Sequence, residues 1–154
     1  MKTFNQLIAD ALPTIQEIFP WDLADMLEAN PELLLVDIRE PKEFNFGHIK
    51  NSLHVPRGIL ETSCDWNYAE TIPHLVNARK DPVVVICRSG NRSVLAAHTM
   101  HLMGYENIYS LKTGVKGWND SDGDLFNAQG ELVDPDMADI EFNPPVSKEQ
   151  LEPR

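Results

Sequence analysis

The chain predicts an α/β fold, a mostly parallel central sheet with helices on both faces. Two observations carry this. Short apolar runs rich in β-branched residues alternate with segments whose apolar residues recur at helical spacing. The strongest such run, Val83 to Ile86, leads through a short loop into the strongest helical run, Ser93 to Met103, the order expected of a parallel strand–helix unit. With 154 residues, 42 % of them hydrophobic, one domain of ordinary size has enough apolar side chains for a core.

The elements follow in order. Phe4, Leu7, Ile8, Ala11, Ile15 and Ile18 recur at helical spacing, with Pro13 as a break. Asp22 to Ala29 reads as a second helix, with Pro20 and Asp22 as start signals. Leu33 to Val36 is a short buried strand, and Ser52 to Val55 a weaker one stopped by Pro56. Tyr68 to Ala78 is helical with a break at Pro73. Gly104 closes the helix that ends at Met103. Asn107 to Leu111 is a strand and Val115 to Asn119 a helical turn. The last 35 residues are acidic, contain Pro135, Pro144, Pro145 and Pro153, and show no helical period. They read as a loose tail or arm, with a candidate hairpin between Leu125-Phe126 and Glu131-Leu132-Val133.

The formal charge is −11. Ten acids against two bases fall between Asp120 and Arg154, so the rest of the chain is nearly balanced. Such a protein is a poor partner for nucleic acid or an anionic membrane. Two cysteines, Cys64 and Cys87, are too few for a disulfide scaffold. With no apolar leader or span, a reduced cytoplasmic protein is expected. Neither cysteine has a partner at zinc-ligand spacing and the histidines are scattered, so neither metal nor cofactor is expected.

Cys87 ends the strongest strand and stands at the mouth of the strongest helix. Between them lie Arg88, Ser89, Gly90, Asn91, Arg92 and Ser93. Backbone N–H groups of such a tight loop can converge into an anion-binding concavity, and the helix start adds its own unpaired donors. That setting favours a thiolate, or a sulfur anion bonded to it. Arg88 and Arg92 add planar cationic forks for an oxyanion. A lone cysteine at a strand end is often only a small buried hydrophobe; the arginines, the glycine and the helix start set this one apart.

Four ordered stretches between Pro20 and Trp118 make the chain resemble a single-domain rhodanese of the thiosulfate sulfurtransferase type. They are Leu35-Val36-Asp37-Ile38-Arg39-Glu40 with Glu43-Phe44; Gly47-His48-Ile49 through Asn51 to Val55-Pro56; the cysteine loop; and Gly104-Tyr105-Glu106-Asn107-Ile108 with Leu111 and Gly114 to Trp118. One departure is Thr113, where the family usually has the first of two glycines. The resemblance implies a rhodanese domain over 20–119, with 1–19 as a helical extension and 120–154 as the acidic tail. It implies Cys87 as nucleophile, taking a sulfur from a small anionic donor such as thiosulfate and passing it to a thiol or cyanide. A protein partner in sulfur relay fits the same chemistry. The loop residues Arg88 to Ser93 would bind the donor and the persulfide. Asp37 and Arg39 would support the loop through an ion pair, and Arg57 would line the pocket mouth. His48 would support a turn, Trp118 would join the core, and His98 and His101 would be surface or packing residues.

Two other functions compete. A cysteine-based phosphatase or arsenate reductase of related fold needs a wider ring of N–H groups around phosphate, one residue longer than the four that separate Cys87 from Arg92. A persulfide carrier or regulatory binding module would use the same cysteine with the tail as a docking element.

Overall fold

The computed structural model covers residues 1–154. Its centre is a five-stranded parallel sheet of β1 (Gln16–Ile18), β2 (Leu34–Asp37), β3 (Leu53–His54), β4 (Pro82–Ile86) and β5 (Asn107–Leu111). The spatial order is β1-β5-β4-β2-β3. The chain builds outward from β2 to β3, then returns to lay β4 against β2 and β5 against β4. The helices are α1 (Phe4–Ala11), α2 (Pro20–Ala29), α3 (Pro41–Phe46), α4 (Leu60–Ser63), α5 (Pro73–Val76), α6 (Arg92–Leu102), α7 (Gly114–Asp120) and α8 (Pro135–Glu141). None is long and apolar enough to cross a membrane.

The period-2 alternation of the strands sorts side chains onto two cores. Val83, Val85 and Cys87 join Leu34 and Val36 on one face, under Leu60 of α4, Leu75 of α5 and Ala96, Ala97 and Met100 of α6. Val84 and Ile86 join Leu35 and Leu111 on the other, under Leu23 of α2 and Val115 of α7. Central strands buried on both faces read as unbroken apolar runs, which is why Val83 to Ile86 shows no alternation in polarity. Helix α6 ends as the sequence indicates. Gly104 N–H donates to the His101 carbonyl and Tyr105 N–H to that of Met100, a Schellman closure that draws the Tyr105 ring into the core.

Three expectations need correction. Ile15 to Ile18 is not helical. A 3₁₀ turn at Leu12–Thr14 ends the helix at Pro13, and Gln16–Ile18 pairs with Tyr109–Leu111 as the edge strand β1. Helical and strand spacings cannot be told apart over three residues, and pairing with β5 decided the matter. Tyr68 to Ala78 is mostly turn, with helix only at Pro73–Val76, whereas α3 and α4 were not anticipated.

The acidic segment is no loose tail. Asp134 caps α8 by accepting from Met137 N–H, and Leu125, Ala138 and Phe142 are buried in the second core. The hairpin survives as isolated bridges from Phe126 to Leu132 and to His48. Three apolar anchors, two of them one turn apart on α8 and its cap, are too few to mark the segment in the sequence, yet they suffice to seat it. The Phe142 ring also meets Phe46 edge-on, centroids 6.4 Å apart. Phe142→Ala should therefore lower the unfolding free energy by about 3 kcal/mol, measured as a shift of the urea midpoint; a freely hanging tail would give no shift.

Candidate functional site

The site forms where β4 ends and α6 begins, at the carboxyl edge of the sheet, where open α/β sheets place their ligand crevices. Asn91, at the start of α6, offers no side-chain cap. The Cys87 sulfur takes that place. Sγ accepts from Gly90 N–H at 3.1 Å and from Ser93 N–H at 3.3 Å, and its thiol faces Ser93 Oγ at 3.3 Å. Ser93 Oγ in turn shares a 2.7 Å hydrogen bond with Ser110 Oγ of β5. The Cys87 side chain is nearly sealed, with the residue 1 % exposed, but these amides face the sulfur. One of these donors belongs to the first turn of α6 and the other to the loop before it, so the sulfur sits in a small cradle of N–H groups.

Backbone crowding fixes the loop. Gly90 has φ 89°, and a Cβ there would lie 2.8 Å from Thr113 N and 3.0 Å from Leu111 O. Gly114 has φ 60°, and a Cβ there would lie 2.4 Å from the carbonyl oxygens of both Cys87 and Arg88. Those carbonyls accept from Val115 N–H and Lys116 N–H, each at 3.0 Å. The first turn of α7 thus holds the loop from outside while the sulfur holds it from within.

The four site arginines have different partners. Arg39 is buried at the end of β2 and grips the Asp37 carboxylate through Nε and Nη2, with Nη2 also donating to the Gly47 carbonyl at 2.8 Å. This ties the sheet to α3. From α3, Glu43 accepts two bonds from the Arg92 guanidinium, at 2.9 and 2.8 Å. Burial opposes the charge on Glu43, but the bonds from Arg92 and the Glu40 amide, with the nearby positive charges, hold its carboxyl below the usual range. The fork of Arg92 is thus spent on Glu43. Arg57 is likewise engaged, with Glu61 at 2.6 Å and Thr99 at 3.1 Å. Arg88 alone of the four has no ion pair or side-chain hydrogen bond, and it borders a cavity of about 130 Å³ with Arg39, Glu43, Glu141, Phe142 and Pro144.

The remaining candidates are structural. Phe44 is sandwiched between His48 and His54, at 3.8 and 4.2 Å, and each histidine bonds a backbone carbonyl. Trp118 is half-buried and donates to the Asp124 carbonyl, while His98 contacts Thr14. Cys64 closes α4 and is fully buried, and burial pushes its thiol above the usual range, which keeps it protonated near neutral pH. The Ser110 hydroxyl and the Glu43–Arg92 pair were not foreseen. Ser110 is a polar residue at an inward-facing strand position, and that was its signal.

A model of the rhodanese-like domain matches residues 20–121. The chain is 32 % identical over 103 residues to a putative mitochondrial thiosulfate sulfurtransferase of Schizosaccharomyces pombe, covering 65 % of this chain and 72 % of that protein. It is 31 % identical over 90 residues to the thiosulfate sulfurtransferase GlpE of Tolumonas auensis, covering 57 % and 74 %. Among solved structures, a Rhodopseudomonas palustris protein described as of unknown function and a possible tyrosine phosphatase superposes with a TM-score of 0.72 at 27 % identity, covering 80 % of this chain and 93 % of that one.

Thr113 is the local departure next to this site. It holds φ 69°, a left-handed conformation costly for a β-branched residue. Its side chain fills the space above Gly117: a Cβ at 117 would fall 1.7 Å from Thr113 Oγ1 and 2.4 Å from its Cβ. Gly117→Ala should therefore destabilise the protein by about 2 kcal/mol, and adding Thr113→Gly should recover most of that loss. Additive effects in a denaturation double-mutant cycle would show that the two positions do not clash.

Proposed function

Because the chain belongs to the rhodanese-like domain family, we propose that it is a sulfurtransferase that carries a sulfane sulfur on Cys87. The observation behind this is the pair of amides, Gly90 and Ser93, aimed at Sγ. The Cys87 thiolate, its proton released to solvent, attacks the outer sulfur of thiosulfate. A bond forms from Sγ to that sulfur, the S–S bond of thiosulfate breaks, and sulfite leaves with the electron pair. The resulting persulfide places its outer sulfur one bond, about 2 Å, beyond Sγ. That suits a nearly sealed cysteine, since an acceptor needs to reach only the outer atom. A thiol or cyanide then attacks it and returns the electron pair to Sγ, which is double-displacement covalent catalysis.

Arg88, unpaired and half-buried beside the loop, is the cation we assign to the donor's sulfonate end. Arg92 acts through Glu43 as a positioning residue, because its fork is already occupied. Arg39 and Asp37 position α3. Phosphate chemistry is the second reading, supported by the description of the Rhodopseudomonas neighbour. Four residues between Cys87 and Arg92, with two amides on the sulfur, favour a single sulfur atom over a tetrahedral anion. A protein relay partner is compatible with this chemistry. Removal of the whole acidic segment cannot test that role, because it would strip Leu125, Ala138 and Phe142 from the core.

Incubation with thiosulfate should add the mass of one sulfur to the peptide containing Cys87. Cys87→Ser should gain none while keeping its circular dichroism; sulfur uptake by that variant would refute the assignment. Arg88→Ala should raise KM for thiosulfate about tenfold, the loss of one charge-assisted contact, and an unchanged KM would remove Arg88 from the donor site.

A further inference from the structure

We infer that Ser110, on β5, is a positioning residue for the discharge of sulfur from Cys87. Its hydroxyl turns the Ser93 proton onto Sγ, the atom that receives an electron pair when the persulfide gives up its outer sulfur. The role rests on the sulfur-transfer reading above and belongs to the second half of that reaction.

Three polar groups stand in a row behind the cysteine loop. Sγ and Ser93 Oγ lie 3.3 Å apart, and Ser93 Oγ and Ser110 Oγ 2.7 Å apart. Both serines are 0 % exposed. Ser93 is fixed by the first turn of α6, and Ser110 by β5, where it stands in register with Val85 of β4. The neighbours of Ser110 on that face of the sheet, Ile108 and Val85, are core residues. A hydroxyl in such surroundings is costly unless it is bonded, and Ser93 Oγ is the one partner of Ser110 Oγ.

Counting hydrogens fixes the direction of the row. Were Ser93 to donate to Ser110, the Ser110 proton would be left in the core without an acceptor. With Ser110 donating, every proton is placed: that of Ser110 on Ser93 Oγ, and that of Ser93 on Sγ. A thiol would bring three hydrogens to the two gaps in the row. The persulfide, whose Sγ carries sulfur in place of hydrogen, brings two.

In discharge the acceptor, cyanide in the experiment below, attacks the outer sulfur. The S–S bond breaks, its electron pair moves to Sγ, and thiocyanate leaves. No outside oxidant or reductant enters, and the Ser93 proton stays on its oxygen. Sγ passes from neutral to anionic in this step, so a hydrogen bond already aimed at it strengthens as the charge arrives. Ser110 does not touch the sulfur. It holds the Ser93 hydroxyl in the orientation that the departing pair requires.

The test uses full-length protein loaded with thiosulfate, its loading checked by mass, freed of donor and discharged by cyanide in a single turnover. Ser93→Ala should slow discharge about tenfold, the loss of one hydrogen bond to a charged atom. Ser110→Ala should slow it about fivefold, because Ser93 keeps its hydroxyl but loses the bond that aims it. The double variant should discharge no more slowly than Ser93→Ala alone, since Ser110 acts through Ser93; a merely structural role would make the two effects multiply. Multiplying effects, a parental discharge rate in Ser110→Ala, or a loading defect in Ser110→Ala that Ser93→Ala does not share would each overturn the inference. Failure of the parent protein to load would instead refute the sulfur-transfer reading itself.

Discussion

A sulfur atom doing the work of a helix cap is the constraint from which the site is built. Helix α6 begins without a side-chain oxygen to take up its first N–H groups, and the Cys87 sulfur accepts Ser93 N–H together with Gly90 N–H. Unpaired donors at a buried helix start are costly. The fold therefore gains from electron density at Sγ for the same reason that the chemistry does. Placement follows from the sheet: β4 is central and buried on both faces, so its carboxyl end is a rigid point from which the sulfur is presented.

Around that point the charges are arranged in series. Asp37 holds Arg39, Arg39 holds the backbone of α3 near Gly47, and Glu43 of α3 holds Arg92. A fully buried Arg–carboxylate pair contributes little net stability, but loss of one member leaves an uncompensated charge. The chain of contacts thus serves placement more than stability. It consumes Arg92, which by sequence stands equal to Arg88, and it leaves Arg88 as the free cation.

Much of this was legible in the sequence. The apolar run Val83–Ile86, the glycine closing α6 and the thiol between them locate the centre of the sheet and the loop, because burial on both faces and helix termination are local properties. What escaped is non-local. Strand β1 is three residues whose identity is set by β5. Segment 120–154 is seated by Leu125, Ala138 and Phe142, too few to make a repeating apolar pattern over its length. The division of labour between Arg88 and Arg92 depends on Glu43, which is distant in sequence and brought alongside by the packing of α3 and its Arg39 anchor.

The contact between Thr113 and Gly117 makes the two positions interdependent. The threonine occupies space that a Cβ at 117 would claim, so a side chain becomes tolerable at 117 only in a background where 113 has been reduced. The turn that backs the cysteine loop is open to change as a pair and closed to change at 117 alone.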